Sequence, residues 1–178
     1  GAMAVAVLAL LAHPASLLAQ RVRAPRTALD GLAWMEAEAP GDRQAVEWIR
    51  RNAPPGARLV EAVGGAYTDH GRIGNATGRP NVLGWTNHEG LWRGVPAAGE
   101  IEARRKDVET VYRSRDRAAV LEALARRGAR YVVLGPLERK EHGDDALPAR
   151  EALKRVFGAD GTEVWEAAPC ARTVPRTA

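Results

Sequence analysis

The chain has 178 residues, of which 46% are hydrophobic and 27% charged, and its formal net charge is +4. These values exclude a disordered chain and fit one globular domain with its own core. Its single cysteine, Cys170, excludes an intrachain disulfide and a zinc site built from cysteine ligands. The arginines are scattered and no nucleic-acid-binding motif accompanies them, so we predict no nucleic-acid partner.

The chain begins with an apolar run, AVAVLALLA at residues 4–12, and arginines follow at positions 21, 23 and 26. The run is too short to cross a membrane, which takes roughly 20 apolar residues. It fits the core of a signal peptide, a buried helix of the domain, or the last turns of a transmembrane helix. The residue pattern alone does not distinguish these three alternatives.

Hydrophobic spacing predicts the first elements of the domain. Asp42 is a predicted N-cap for a helix that ends at Asn52. Strands are predicted over residues 58–63 and 81–85, with helices from Gly99 onward. Ser114 is a predicted cap for a further helix, which Gly128 closes.

The second half contains the clearest strand, YVVLG at residues 131–135, an apolar run typical of a strand buried on both faces. A helix is predicted from Asp144 or Asp145 to Lys154, and Asp160-Gly161 predicts a hairpin turn. We therefore predict an α/β fold with a mainly parallel, three-layer-type sheet, flanking helices and a C-terminal β-hairpin edge.

These elements divide the chain into three parts. The predicted parts are an N-terminal apolar segment with a linker, a single α/β domain and a disordered tail, at residues 1–26, 27–168 and 169–178.

The stretch from Glu61 to Arg93 concentrates histidines, tryptophans, glycines and charged residues in predicted turns. In α/β sheets, ligands bind beyond the carboxyl ends of strands, where parts of this stretch and Glu138-Arg139 are expected to converge. Aromatic rings beside charged groups are typical of carbohydrate sites, and also of interfaces or plain core. The candidate ligand-contacting residues are Glu61, Tyr67, Arg72, Trp85, His88, Glu89, Trp92, Arg93, Glu138 and Arg139.

Glu61 interrupts an apolar strand, and a buried carboxylate must be paired or protonated. It is either a ligand-contacting acid or one half of a structural ion pair with Arg72 or Arg93, and the ion pair is the interpretation we favour.

The same stretch contains residues of the types that bind metals, Asp69, His70, His88 and Glu89. No helical HExxH spacing accompanies them, so they are only weak metal candidates and we predict no metal. No G-x-S-x-G elbow and no phosphate-binding loop is present, so we predict no catalytic residue and no cofactor.

Several segments together resemble a known family. TALDGLAWM, AVEWIRRN, LVEAVGGAY, DVETVYRS and YVVLGPLER occur in the order that family shows, and the most specific segments are RIGNATGRPNVLGW and HEGLWRG. They resemble the C-terminal soluble part of large prokaryotic membrane proteins named for a Tyr-Tyr-Tyr motif (Chlor_Arch_YYY). The resemblance covers residues 27–167, and the Tyr-Tyr-Tyr motif itself is absent.

The resemblance implies a polytopic membrane protein similar to GT-C glycosyltransferases. It implies that residues 4–12 are the end of a transmembrane helix, and that the domain lies outside the cytoplasm at the cell membrane. The arginines that follow the run favour the cytoplasmic side instead. The implied function is positioning a glycan donor or acceptor, such as a lipid-phosphate-sugar, next to the protein's own transmembrane bundle, without catalysis by the domain alone. Alternatives are a structural docking domain and a metal-dependent hydrolase.

Overall fold

A buried central strand organises the sheet. In the computed structural model of the protein, which describes Ser16 and residues 30–168, four strands form one sheet in the order β1-β2-β4-β3. Strand β2 pairs in parallel with β1 and antiparallel with β4, and β4 pairs antiparallel with β3. The strands are β1 (Arg58–Val60), β2 (Ala129–Leu134), β3 (Lys154–Ala159) and β4 (Thr162–Glu166).

Helices cover both faces of the sheet. Val132 and Leu134 of β2 face a core shared with the helices at Ala98–Arg113 and Arg117–Arg127, while Tyr131 meets the ring of Trp48, from the helix at Pro40–Asn52, on the other face. Short 3-10 turns occupy Val95–Ala97 and Arg150–Ala152. The helices are α1 (Ala33–Glu38), α2 (Pro40–Asn52), α3 (Arg72–Thr77), α4 (Thr86–Arg93), α5 (Ala98–Arg113), α6 (Arg117–Arg127) and α7 (Pro136–His142).

The α/β class, the flanking helices and the C-terminal hairpin are confirmed. Asp160 and Gly161 both have positive φ, 44° and 78°, as a tight hairpin turn requires. The mainly parallel sheet is corrected, because two of the three strand pairings are antiparallel. The hairpin itself is the cause, since it places β4 directly against β2.

The predicted strand at residues 81–85 is also corrected. This segment touches the β1 region only through isolated parallel bridges, Leu59 with Asn81 and Gly64 with Trp85. Between the bridges the chain bends, and the first predicted strand stops at Val60, before Glu61. The bend leaves the side chains of this segment available to line a groove.

Three smaller predictions are corrected for local reasons. Asp42 lies inside α2, which begins at Pro40, because its carboxylate binds other side chains. Asp116, and not Ser114, caps α6 by accepting hydrogen bonds from two backbone amides. The helix predicted over residues 144–154 is reduced to a 3-10 turn, and Leu147 at φ 60° is incompatible with a continuous helix.

The chain divides into two compact units, Gly1–Ala33 and Trp34–Ala178. Apart from Ser16, the predicted N-terminal apolar segment lies outside the described residues, as does the predicted tail at residues 169–178. None of the helices in the described part of the chain is both long enough and apolar enough to span a bilayer.

Candidate functional site

A buried ionic cluster lies beneath α3 and joins four elements. Arg72 donates through Nε to Asp42 Oδ2 at 2.6 Å and through both terminal nitrogens to the two oxygens of Glu138 at 3.0 Å. Thr162 Oγ1 donates to the other Asp42 oxygen at 2.9 Å. Glu61 stands 3.8 Å from Arg72 and completes the cluster. We call these five residues the ionic cluster.

Backbone amides complete the hydrogen bonding of two carboxylates. Glu61 accepts from the amides of Ile73 and Gly74 at 3.0 and 2.8 Å, in the first turn of α3. Glu138 accepts from Ala62 N at 3.0 Å and Gly135 N at 2.9 Å. The ionic cluster therefore fixes where α3 begins relative to β1 and α7.

The charges of the ionic cluster do not balance, because three carboxylates surround one guanidinium. Burial raises the pKa of Glu61 to about 7, against the attraction of Arg72, and the neighbouring Glu138 raises it further. Glu138 is also desolvated, but the charge and hydrogen bonds of Arg72 outweigh that burial and hold its pKa below the usual value. Glu61 thus ionises less readily than Glu138.

The ionic cluster has no open access to solvent. Glu61 and Glu138 are fully buried, and Arg72 is 7% exposed. The pair between Glu61 and Arg72 is the structural ion pair favoured from the sequence. These three candidate residues support the site from below and do not line an open surface.

Above the ionic cluster, a groove of about 560 Å³ opens between α3 and α4. Its walls come from the turn before α3, the end of α3, the bent segment at residues 78–85 and the first turn of α4. The residues that line the groove are His70, Gly71, Gly74, Asn75, Gly78, Arg79, Pro80, Asn81, Gly84, Trp85, His88 and Glu89.

Glycines let polar side chains pack directly on backbone in this region. A Cβ at Gly74 would lie 2.6 Å from Asn81 Oδ1, and a Cβ at Gly64 would overlap the ring of His70. A Cβ at Gly84 would make only an ordinary contact with Gly71 Cα, at 3.9 Å. The side chains of Asn81 and His70 are therefore held in place by positions where only glycine fits.

Several buried polar atoms in the groove have no hydrogen-bond partner within the described residues. They include a donor on Trp85 (Nε1), a donor on Arg79 (Nε) and an acceptor on Asn81 (Oδ1). The remaining guanidinium nitrogens of Arg79 donate to the carbonyls of Thr77 and Ala53, which anchors this side chain. His70 Nε2 and Glu89 Oε2, which lie near the charged groups of Glu141 and Arg93, bring the unpaired atoms on groove-lining residues to five. Buried polar groups are normally paired, so these atoms indicate a place for a polar ligand.

Aromatic rings close one end of the groove. Tyr67, Trp85 and His88 contact one another, with ring centroids 5.0 to 6.0 Å apart. Tyr67 is 85% exposed and has φ 61°, which is unusual for a residue other than glycine. This cluster gives the groove an apolar ring surface beside its polar atoms.

Apolar side chains continue beyond the groove along α4. Leu91, Trp92 and Val95 are 79%, 86% and 89% exposed, and no residue of α4 is buried. Arg93 pairs with Glu89 at 3.1 Å. This part of α4 is therefore free to contact something outside the described residues.

The structure divides the predicted site residues between these places. Trp85, His88 and Glu89 line the groove, and Tyr67 packs on its edge. Arg139 lies apart from both the ionic cluster and the groove, because its guanidinium donates to the carbonyls of Leu134 and Gly161 near the hairpin turn.

Three polar residues of the groove, Asn75, Arg79 and Asn81, were not predicted from the sequence, and His70 was predicted only as a weak metal candidate. The available signal was the repeated glycine in RIGNATGRPNVLGW, which marks close backbone approach next to polar side chains. Over residues 30–168 no group of three or more His, Cys, Asp or Glu side chains is arranged to hold a metal ion.

No protein-family model matches the chain, and no curated protein matches it. Among solved structures, it is similar to the C-terminal globular domain of an oligosaccharyltransferase from Archaeoglobus fulgidus. The two share 11% sequence identity with a TM-score of 0.42, over 71% of this chain and 95% of that domain. A likeness at this level adds no argument about function, and the resemblance to the Tyr-Tyr-Tyr family stays a prediction.

Proposed function

We propose that this chain binds a neutral, hydroxyl-rich ligand in the groove between α3 and α4, and that this ligand is a glycan. The observation that carries the proposal is the set of buried, unpaired polar atoms of Arg79, Asn81 and Trp85 beside an aromatic surface. Leaving a buried polar group unpaired costs about 1–3 kcal/mol, so a ligand that pairs these groups gains that energy on binding. The volume of about 560 Å³ falls within the usual range for a small-ligand site.

The mixture of donors and acceptors favours a neutral ligand over a phosphate. A fully ionised phosphate group supplies acceptors only, so it satisfies Trp85 Nε1 and Arg79 Nε but leaves Asn81 Oδ1 without a donor. Glu89 also lines the groove, and a carboxylate repels an anion. Sugar hydroxyls both donate and accept, and the C–H face of a sugar covers an aromatic ring, so a glycan uses every feature of the groove.

The cellular context of the proposal rests on the sequence resemblance. In that context the domain lies next to the cell membrane, outside the cytoplasm, as part of a GT-C-like glycosyltransferase. It positions a glycan donor or acceptor near the transmembrane bundle and performs no chemistry alone. In that context, catalysis belongs to membrane-proximal loops of the glycosyltransferase.

A second function, docking, is favoured by one observation. Leu91, Trp92 and Val95 are exposed together on α4 and the turn after it, and exposed apolar groups of this kind mark interaction surfaces. In that case the domain is a structural module that binds its own transmembrane bundle or another subunit, and the groove binds no sugar.

Calorimetric titration of the 178-residue chain separates the two functions. The ligands are glucose, mannose and N-acetylglucosamine with their oligosaccharides, and inorganic phosphate serves as the anionic comparison. We expect binding of at least one saccharide series and none of phosphate. Trp85→Phe keeps a ring but removes the Nε1 donor, and Asn81→Ala removes the acceptor. Each variant is expected to weaken binding about twofold to tenfold, because each removes one hydrogen bond's contribution to the free energy of binding.

Leu91→Ala is the matched control, because Leu91 is exposed on α4 outside the groove. It is expected to bind saccharides like the unchanged chain. Saccharide affinity that is absent, or that is the same in Trp85→Phe, Asn81→Ala and Leu91→Ala, contradicts the proposed function and favours docking.

A further inference from the structure

The groove-lining residues of α4 form a stripe that continues past the end of the groove. His88, Glu89 and Trp92 lie in α4 and Trp85 is its N-cap, so the four are spaced i, i+3, i+4 and i+7 from the cap, on one side of the helix. The first three line the groove, whereas Trp92 lies beyond it and is 86% exposed. Trp92 therefore extends the aromatic surface of the groove in one direction along α4.

Helix geometry gives the spacing between the two tryptophans. Seven residues at a rise of about 1.5 Å each separate Trp85 and Trp92 by about 10 Å along the axis. Arg93 lies next to Trp92 and is held by Glu89 at 3.1 Å, so donor groups accompany this second ring as well. A ligand that fits only the groove leaves both Trp92 and Arg93 unused.

We propose that the ligand is a linear oligosaccharide that runs along α4 from Trp85 to a second stacking platform at Trp92. The proposal rests on the proposed function and specifies its ligand as a chain of sugars and not a single sugar. One unit occupies the groove against Trp85, and a later unit of the same chain covers the face of Trp92. We assign Trp92 to this ligand, and not to a separate partner, because the stripe that contains Trp92 is continuous with the groove.

Leu91 provides the internal comparison for this assignment. It is 79% exposed on the same helix, but it lies about 100° around the axis from Trp92 and outside the stripe. A ligand that follows the stripe contacts Trp92 and not Leu91. A flat apolar surface, such as a lipid bilayer, contacts both.

The test is calorimetric titration of the full chain with glucose, mannose and N-acetylglucosamine oligosaccharides from monosaccharide to hexasaccharide. In the series that binds, affinity is expected to rise about tenfold or more once the chain reaches Trp92. Trp92→Ala is expected to remove this gain and leave the affinity for the monosaccharide unchanged. Leu91→Ala is expected to keep the gain.

Each other result has a distinct meaning. The extended ligand is contradicted if oligosaccharides of every length bind with equal affinity. It is also contradicted if Trp92→Ala keeps the increase in affinity with length. In both cases the proposed binding of a sugar in the groove stands. No binding of any saccharide overturns the groove function itself. A third result assigns this face of α4 to a membrane surface. In that result the chain binds phosphatidylglycerol vesicles, both Trp92→Ala and Leu91→Ala weaken this binding, and saccharide affinity does not depend on chain length.

Discussion

Replacing Glu61 by glutamine tests the electrostatics of the ionic cluster. Burial raises the pKa of Glu61 from 4.5 to about 7 in the folded chain. The folded state consequently binds more protons than the unfolded state between these two values. The protonated side chain of Glu61 therefore contributes stability to the folded state, and this contribution is fully present below about pH 4.5. It is lost as the pH rises through about 7. This difference between the pKa in the folded and the unfolded chain corresponds to about 3 kcal/mol in the free energy of unfolding, at about 1.4 kcal/mol per pKa unit.

Glu61→Gln cannot ionise, so it lacks this pH dependence. At low pH we expect the variant to be about 1–3 kcal/mol less stable than the unchanged chain. The reason is that the glutamine amide cannot accept from both Ile73 N and Gly74 N. As the pH rises from about 4.5 to about 7, the difference in stability between the variant and the unchanged chain is expected to shrink or reverse, by up to about 3 kcal/mol, because only the unchanged chain must ionise a buried group.

Urea denaturation at a series of pH values measures this directly. The histidines are common to both proteins, so their titration cancels in the difference between them. Glu122→Gln is the control for loss of one negative charge, since that side chain is exposed on α6, and it is expected to keep the pH profile of the unchanged chain. Parallel pH profiles for Glu61→Gln and the unchanged chain would show that Glu61 does not have a raised pKa in the folded state.

Two further predictions concern the support of the groove. Arg72→Met leaves buried carboxylates without their cation and is expected to cost about 3–5 kcal/mol in the free energy of unfolding; Arg51→Met, whose side chain is 74% exposed, is expected to cost less than about 1 kcal/mol. Gly41→Ala places a Cβ 2.6 Å from Asp160 O, and overpacking against backbone is expected to cost about 1–3 kcal/mol. Gly99→Ala, with nothing within 4 Å, is expected to be neutral or to stabilise by less than about 1 kcal/mol.

Chemical denaturation of these four variants checks both predictions. An Arg72→Met variant as stable as Arg51→Met would contradict the role of Arg72 as the cation shared by the ionic cluster. Equal stability of Gly41→Ala and Gly99→Ala would show that α2 can move away from the hairpin turn without cost.

The fold could be predicted from the sequence where the signal is local. The apolar run at residues 131–135 and the Asp160-Gly161 turn each carry their structure within a few residues, and both predictions are confirmed. The order of strands is a long-range property. The sequence pattern does not show that β4 pairs antiparallel with β2, because the alternation of buried residues is the same for either direction of pairing.

The sequence predicted a site in residues 61–93, and it could not show how the structure divides those residues between the ionic cluster and the groove. Polar residues such as Glu61 and Trp85 lie close together along the chain, yet one belongs to the ionic cluster and the other lines the groove. Which of two polar residues is buried depends on partners far along the chain, such as Glu138 for Arg72. Asn81 and Arg79 were missed because an unpaired atom is a property of the surroundings of a side chain and not of its type.

In the proposed function a glycan pairs with the buried groups of the groove, and the indole proton of Trp85 reports this pairing most directly. Proton–nitrogen NMR of the chain is expected to show one indole signal for each of its five tryptophans, and the signal absent from Trp85→Phe identifies residue 85. On titration with the oligosaccharide series, we predict that this signal shifts and exchanges more slowly with solvent, because its donor gains a partner. A Trp85 signal that stays unchanged at saturating saccharide would contradict this pairing.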